Sequence, residues 1–483
     1  MRRALPALLL GLGCADAPPA EPSPATQPVV MLVSFDTTRA DALSCYGGAG
    51  ARTPVLDKLA AGGVRFAWAI TQSPTTLSSH TAALSGQDSH GHRVVRNGFP
   101  VPADVPLATE RFRDAGWDTV AVVGAFALEQ KMGLSRGFRL YEDSAWMAHI
   151  GDYVVPADQV TDKALAAIDQ RDPTQPLFLF VHYYDPHMTW HQAPEALRRR
   201  FIDPDYQGVV GNTIPHLRQM TNAASSGQLT AADARQARGL YLAEVAWADS
   251  QLGRLLQGMT DRGLLDEALV MMMSDHGEVL DDIQARPFRH GPDVDLAATH
   301  VPLLAWGQGR FETPKGLVVD DLVRVQDVAA TLLGQAGLDA KIGESRDLSA
   351  TWTNGAPPLA PAPAFAEANR PHQVTQVDTW PNILLERGVA LDGYLYTRAP
   401  WLDTEGHVEE GLFRLDDAQT PVDDPAVKAR LKGLLAAWDE AAPGPREAEL
   451  SPETRAALEA LGYLDPNDRP PAPASDAPAG KGD

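Results

Sequence analysis

Cysteine is nearly absent from this chain, with only Cys14 and Cys45 in 483 residues. A disulfide framework is therefore excluded, even in a compartment that would permit one. Basic charge is also short: 41 Lys and Arg stand against 63 Asp and Glu, a formal charge of -22. That balance argues against a general binder of nucleic acid or anionic membrane, which would need a basic face. It leaves room for an anionic substrate held locally by metal ions. No segment beyond the first residues is long and apolar enough to span a bilayer, and no internal repeat is visible. What remains is an ordinary globular composition, 44% hydrophobic and 22% charged, in a length that holds a main domain and a smaller one.

The start, MRRALPALLLGLGC, combines two arginines, a short apolar run and small residues ahead of a cysteine. Such a run suits a secretory signal rather than a membrane span. GLGC resembles a bacterial lipobox, in which Cys14 becomes the lipidated first residue, although Gly11 stands where Leu is usual. Plain cleavage near residues 15–20 is the alternative. Residues 15–28, rich in Pro and Ala, read as an extended tether. The expectation is an exported protein held to a membrane by a lipid anchor only.

Continuous apolar runs of strand length begin at Val29, Asp118, Leu177, Ala268 and Val301. Runs without alternation suit strands buried on both faces. Helical stretches lie between them, the clearest from about Ala231 to Met259, where Tyr241, Val245, Ala248, Leu252 and Leu256 share a face. The alternation predicts an α/β sandwich around a largely parallel sheet, over 29–345. A Pro/Ala stretch and shorter strand-like pieces then predict a smaller C-terminal α+β domain over 346–465, with a helix near Asp424 to Ala441. The tail, 466–483, has a disordered composition.

Three of these runs end in polar residues that packing does not require. VSFDTTRAD places Asp36 past the first, FLFVHYYDPH places His182, Asp185 and His187 past another, and MMMSDHGE places Asp275 and His276 past a third. Ligands of open α/β sheets bind outside the carboxyl ends of strands. Each residue alone is as easily a helix cap or a satisfied buried polar group; three at equivalent places form a pattern. The stretch SPTTLSSHTAALSG, residues 73–86, places five hydroxyls, Ser73, Thr75, Thr76, Ser78 and Ser79, just before His80, around a helix that reads as starting near Ser78. Those hydroxyls either cap the helix or include a nucleophile.

The ordered set DTTRADALSCYGGAGARTPVLDKLAAGG, SPTTLSSHTAALSG, HYYDPH, YLAEVAWADSQLGRLL, SDHGE, RHG and HVPLLAWG resembles the sulfatase family of the alkaline phosphatase superfamily, over roughly residues 29–465. The resemblance implies an alkaline phosphatase-like sandwich with metal at the carboxyl edge of the sheet. It implies Asp36, Asp275 and His276 as ligands of a divalent ion, which that mixture could hold from Ca²⁺ or Mg²⁺ to Mn²⁺ or Zn²⁺. Thr37 replaces the family's second aspartate, so a single ion is expected, with Arg39 bracing the site. His187 falls where a histidine faces the leaving-group oxygen and His290 where Lys or His contacts the oxyanion. His92 and Asn97 resemble a substrate-side loop.

Aligned on AALSG, the family's nucleophile element falls on Thr76–His80, 40 residues after Asp36. Thr76 takes the place of the residue oxidised to formylglycine, and threonine cannot form that aldehyde. His80 takes the place of the bracing arginine, on the substrate side. What is left is a metal-activated hydroxyl, with Ser73, Ser78 and Ser79 as competitors to Thr76. The reading is thus an exported, metal-dependent hydrolase of a small anionic ester, a sulfate or more fittingly a phosphodiester or phosphonate. A transferase using the same threonine, or an inactive binding protein on this scaffold, are the alternatives.

Overall fold

The computed structural model describes residues 27–94, 96–143, 155–213, 226–280, 290–291, 294–368, 386–402 and 408–442, with isolated positions at 216–223, 452 and 456. The signal, most of the tether, the segment LSPETRAALEALGYL apart from two positions, and the tail lie outside the described residues.

The five apolar runs are strands. In chain order the main sheet holds β1 (Val29–Phe35), β2 (Val64–Ile70), β3 (Asp118–Val123), β4 (Leu140–Glu142), β5 (Leu177–Tyr183), β6 (Ala268–Ser274), β7 (His300–Val301), β8 (Leu303–Gly307) and β9 (Leu317–Arg324). Their order is β4-β3-β5-β1-β6-β8-β2-β7, with β9 on β2. Strands β4, β3, β5, β1 and β6 run parallel. The run from Val301 breaks at Pro302, which cannot donate to a ladder, and β8 lies antiparallel to both β6 and β2.

Continuous hydrophobicity in β1 has the cause expected: every residue is buried, and successive side chains enter opposite cores. Val30 and Leu32 pack with Leu77 and Leu84 of helix α2 (Thr76–Ser85) and Leu332 of α6 (Asp327–Gln335). Met31, Val33 and Phe35 pack on the other face with Leu56 of α1 (Pro54–Gly62), Val160 of α4 (Ala157–Asp169) and Tyr241 of α5 (Ala231–Asp261). Helix α3 (Ala108–Asp114) joins the first of these layers through Phe112. Along α5, Tyr241, Val245, Ala248 and Leu252 are buried, and Leu255 rather than Leu256 continues the seam. The first core extends to Leu348, with Trp352 packed against it.

A separate antiparallel sheet follows: β10 (Ala364–Ala368), β11 (Glu386–Leu391), β12 (Tyr394–Leu402), β13 (Val408–Arg414) and β14 (Asp417–Pro421). Asp392 and Gly393 turn β11 into β12, both with positive φ (51° and 81°), the pairing a tight hairpin demands. Helix α7 (Pro425–Glu440) is capped by Asp424, whose Oδ1 accepts from the amides of Ala426 and Val427. Its Leu431, Leu435 and Trp438 cover Val389, Tyr396 and Leu412 of the sheet.

Candidate active site

The register of the central strands builds the site. Phe35 is level with Tyr183 of β5 and Ser274 of β6, so Asp36, Tyr184 and Asp275 are the first residues beyond one edge. Asp36 stays tied to that edge through its amide, 2.8 Å from the Tyr183 carbonyl. One position back, Ser34 is level with His182, and each alternates with residues that pack toward α2, Val30 and Leu32 in β1 and Phe178 and Phe180 in β5.

Asp36, Asp275 and His276 converge in the interior: each offers a ligand atom, and these atoms lie within 4.8 Å of one another. His276 Nε2 is 3.4 Å from Asp275 Oδ2 and 3.8 Å from Asp36 Oδ1. His276 Nδ1 lies 3.0 Å from the Gly277 carbonyl, a contact that keeps the proton on Nδ1 and leaves the Nε2 lone pair for a cation. Asp275 Oδ1 accepts from the amides of Thr37 (3.1 Å) and His276 (2.9 Å). Both oxygens of Asp36, Asp275 Oδ2 and His276 Nε2 are buried without a hydrogen bond. Burial raises Asp36 and Asp275 above the usual carboxylate range. Burial alone would lower His276, but Asp275 and Asp36 outweigh it and lift the ring above its ordinary value. Orphaned, desolvated carboxylates around one lone pair are what a divalent cation would satisfy, so the residues fit such an ion.

Thr37 sits between these ligands with φ 49°, a conformation costing a β-branched residue about 1–3 kcal/mol. The Tyr241 hydroxyl holds it by donating to its carbonyl at 2.8 Å. Arg39 braces the same turn. Its guanidinium binds Asp41 at 2.7 and 2.8 Å and the Glu278 carbonyl at 3.1 Å.

Helix α2 begins at Thr76, two residues earlier than its sequence suggests, and ends on Gly86 with φ 69°. Its hydroxyls divide sharply. Ser79 donates to the Asp275 carbonyl at 2.7 Å and pairs with Thr71 at 2.8 Å, while Ser73 pairs with Thr75 at 3.0 Å. Thr76 Oγ1 and Ser78 Oγ are buried with no partner. Thr75 makes no side-chain cap; instead Asn97 Oδ1 accepts from Leu77 N at 2.8 Å. His80 spans the layer beneath, with Nδ1 2.7 Å from the Thr76 carbonyl and Nε2 2.8 Å from Ser34 Oγ. Burial lowers it to about 4, so it does not supply the positive charge of the arginine it replaces.

His187 and His290 stand beside His276. The His290 ring is 4.7 Å from that of His276 and 4.6 Å from that of His187. His187 Nδ1 is 2.6 Å from the Met188 carbonyl and 2.9 Å from the Tyr184 hydroxyl, and burial lowers the ring to about 3. His290 Nδ1 is 3.3 Å from Glu278, whose carboxyl burial pushes up to about 8. His92 is buried, its Nδ1 accepting from Val94 N at 3.0 Å and its Nε2 unpartnered. Asp185 faces away and caps α4, accepting from Ala157 N at 2.9 Å.

The sequence offered His182 equally as a satisfied buried polar group, yet its ring lies at the centre, with Nε2 3.3 Å from Asp36 Oδ2. The signal was present: His182 alternates with Phe178 and Phe180 and so faces α2. The Glu278–His290 pair and the capping role of Asn97 were missed, because they join positions 12 and 20 residues apart that no helix or strand period links.

A sheet edge carrying two buried carboxylates, an imidazole and an adjacent helix N-terminus is the layout of an ester hydrolase of alkaline phosphatase-like architecture. Residues 28–338 match the sulfatase family, and the chain belongs to it. It is 22% identical over 369 residues to the arylsulfatase of Clostridium perfringens, covering 64% of this chain and 74% of that one. It is 25% identical over 409 residues to the ulvan-active sulfatase of Formosa agariphila, covering 79% and 74%. In three dimensions it is similar to the phosphonate monoester hydrolase of Agrobacterium radiobacter, with a TM-score of 0.65 and 20% identity over 87% of this chain and all of that one.

Proposed function

We propose that this sulfatase-family hydrolase cleaves phosphate-type esters, phosphodiesters or phosphonates, through the hydroxyl of Thr76. One observation carries the reading. Thr76 Oγ1 is fully buried, unpartnered and placed on the first residue of a helix, where free amides and the helix dipole favour an anion. Ser78 is the one other unpartnered hydroxyl of the 73–79 stretch, and it lies further inside the helix. A threonine cannot carry the formylglycine on which sulfate release through a hemiacetal depends. A phosphoryl centre has no such need, since phospho-threonine is open to attack by water at phosphorus.

Asp36, Asp275 and His276 would hold a divalent cation, of which Zn²⁺ and Mn²⁺ suit the imidazole better than Ca²⁺. When bound, such a cation supplies Lewis-acid stabilisation of negative charge on the attacked group. The chain's own residues do the rest. Thr76 Oγ1 forms a bond to phosphorus as the bond to the leaving oxygen breaks. The Thr76 proton passes to water as the hydroxyl attacks, and His187, on the leaving-group side, protonates the departing oxygen and regains a proton from the water that attacks next. On this reading His290, beside Glu278, and Asn97, through its unpartnered Nδ2, contact the phosphoryl oxygens. His92 lines the same side, and Arg39 and His80 hold the frame. Water then attacks the phospho-threonine and regenerates the hydroxyl.

Export and a lipid anchor on Cys14 belong to the same proposal, resting on the N-terminal sequence. Among the described residues no helix is long and apolar enough to cross a membrane. The test of the reaction is a panel of aryl sulfate, phosphate monoester, phosphodiester and phosphonate substrates with one leaving group, assayed with Mn²⁺, Zn²⁺, Mg²⁺ and Ca²⁺. Phosphodiesters or phosphonates should be turned over fastest; a preference for the sulfate would defeat the proposal.

A further inference from the structure

One cation at Asp36, Asp275 and His276 leaves part of this interior unexplained. His182 is fully buried, and neither ring nitrogen has a hydrogen-bond partner. Asp275 Oδ2, also without a hydrogen bond, has an imidazole nitrogen on each of two sides: His276 Nε2 at 3.4 Å and His80 Nδ1 at 3.7 Å. His80, His182 and Asp275 form a second group whose ligand atoms all lie within 4.8 Å.

We propose that a second divalent cation, of the zinc or manganese class, binds between His80, His182 and Asp275, with Asp275 Oδ2 shared by the two positions. The inference goes beyond the reading above, which needs only one ion. The 3.7 Å between His80 Nδ1 and Asp275 Oδ2 is near the about 3.4 Å that separates two atoms bound tetrahedrally at about 2.1 Å from one ion. Two imidazoles and one carboxylate select a borderline metal over calcium, which prefers a cage of oxygens. A carboxylate shared by two such ions is also the arrangement of paired hydrolytic sites, whose metals stand about 3.5–4 Å apart.

His80 has to change tautomer for this, and its surroundings allow it. Its Nδ1 proton now lies toward the Thr76 carbonyl at 2.7 Å. Ser34 Oγ, 2.8 Å from Nε2, can accept as readily as donate. The proton can therefore sit on Nε2, and the cation replaces it beside Nδ1, next to the Thr76 backbone. That would place a second positive charge directly under the helix N-terminus, a feature suited to a multiply charged phosphoryl group. The competing account makes His182 a simple donor to Asp36, 3.3 Å away; it leaves Nδ1 of that ring without a partner.

The test counts metal in the full chain. Protein stripped with a chelator is re-equilibrated with Zn²⁺ alone, desalted, and analysed by elemental mass spectrometry. Two zinc ions per chain are expected in the wild type and one in His182→Ala, with Asp36→Ala weakening the first position. His182→Gln, closer in size, serves if the alanine variant melts early. With Mn²⁺ in place of Zn²⁺, the paramagnetic resonance spectrum should show exchange-coupled ions in the wild type and an isolated ion in the His182 variants. One zinc per chain at saturation, or two retained without His182, overturns the second position. One zinc together with active phosphodiester hydrolysis would remove the second cation and leave the proposed function standing. Two zinc ions without any ester hydrolysis would support the second cation and count against the function instead.

Discussion

Asn97 has two ends, and its substitution separates two effects. Its Oδ1 accepts the amide of Leu77 at the start of α2, while its Nδ2 is buried with no partner. In Asn97→Ala the buried amide loses its acceptor, a loss of about 1–3 kcal/mol that overlaps the usual value of a helix cap, about 0.5–2 kcal/mol. A destabilisation of about 2 kcal/mol is expected. Asn97→Asp keeps an acceptor and adds a negative charge where the helix dipole favours one, by about 0.3–1 kcal/mol. Its stability should stay within about 1 kcal/mol of wild type. Activity should behave differently. If Nδ2 donates to the transferring group, both variants lose a donor, and removal of one such donor costs about 10²–10³ in kcat. Urea denaturation followed by circular dichroism gives the first quantity, and initial rates on an aryl phosphodiester give the second. An aspartate variant as unstable as the alanine variant would refute the capping account. An aspartate variant with full activity would remove Asn97 from the phosphoryl site.

Asp249 offers a pH test away from the site. Burial pushes its carboxyl from the ordinary 3.8 up to about 7, although it accepts from the amides of Val55 (3.1 Å) and Leu56 (2.9 Å) at the start of α1. A folded-state value above the unfolded one means that the contribution of Asp249 to stability is fully present below about pH 4 and is lost as pH rises to about 7. Melting curves of wild type and Asp249→Asn should therefore diverge across that window, the wild type losing ground, and run parallel above it; a constant difference from pH 4 to 8 would contradict the shift. At the N-terminus, intact mass of the mature protein should show a lipidated Cys14, and an unmodified Cys14 or a start beyond it would refute the anchor.

Much of this architecture is legible in the chain because its cause is local. Strands buried on both faces must be apolar throughout, so the runs at Val29, Leu177 and Ala268 announce themselves, and Asp36 and Asp275 stand out where each run stops. The helix over 231–261 shows its period. The details that decide chemistry depend on register instead. That His182 lies level with Ser34 follows from pairing β5 with β1, and no spacing in the sequence states it. The same holds for Ser79, removed from the list of nucleophiles by a carbonyl 196 positions away, and for Thr37, whose left-handed backbone is set by Tyr241 and Asp275. The shape of α2 is similar: a threonine-rich start looks self-capping, yet the cap comes from Asn97.

The central claim is that Thr76 attacks phosphorus. Rapid acid quench during turnover of an aryl phosphodiester or phosphonate, followed by peptide mass spectrometry, should find the phosphoryl or phosphonyl group on Thr76 of the wild type. Thr76→Ala should bind metal as before, form no adduct and lose turnover, and Thr76→Ser should retain part of the rate. Full turnover in Thr76→Ala, or an adduct on Ser78, would contradict it.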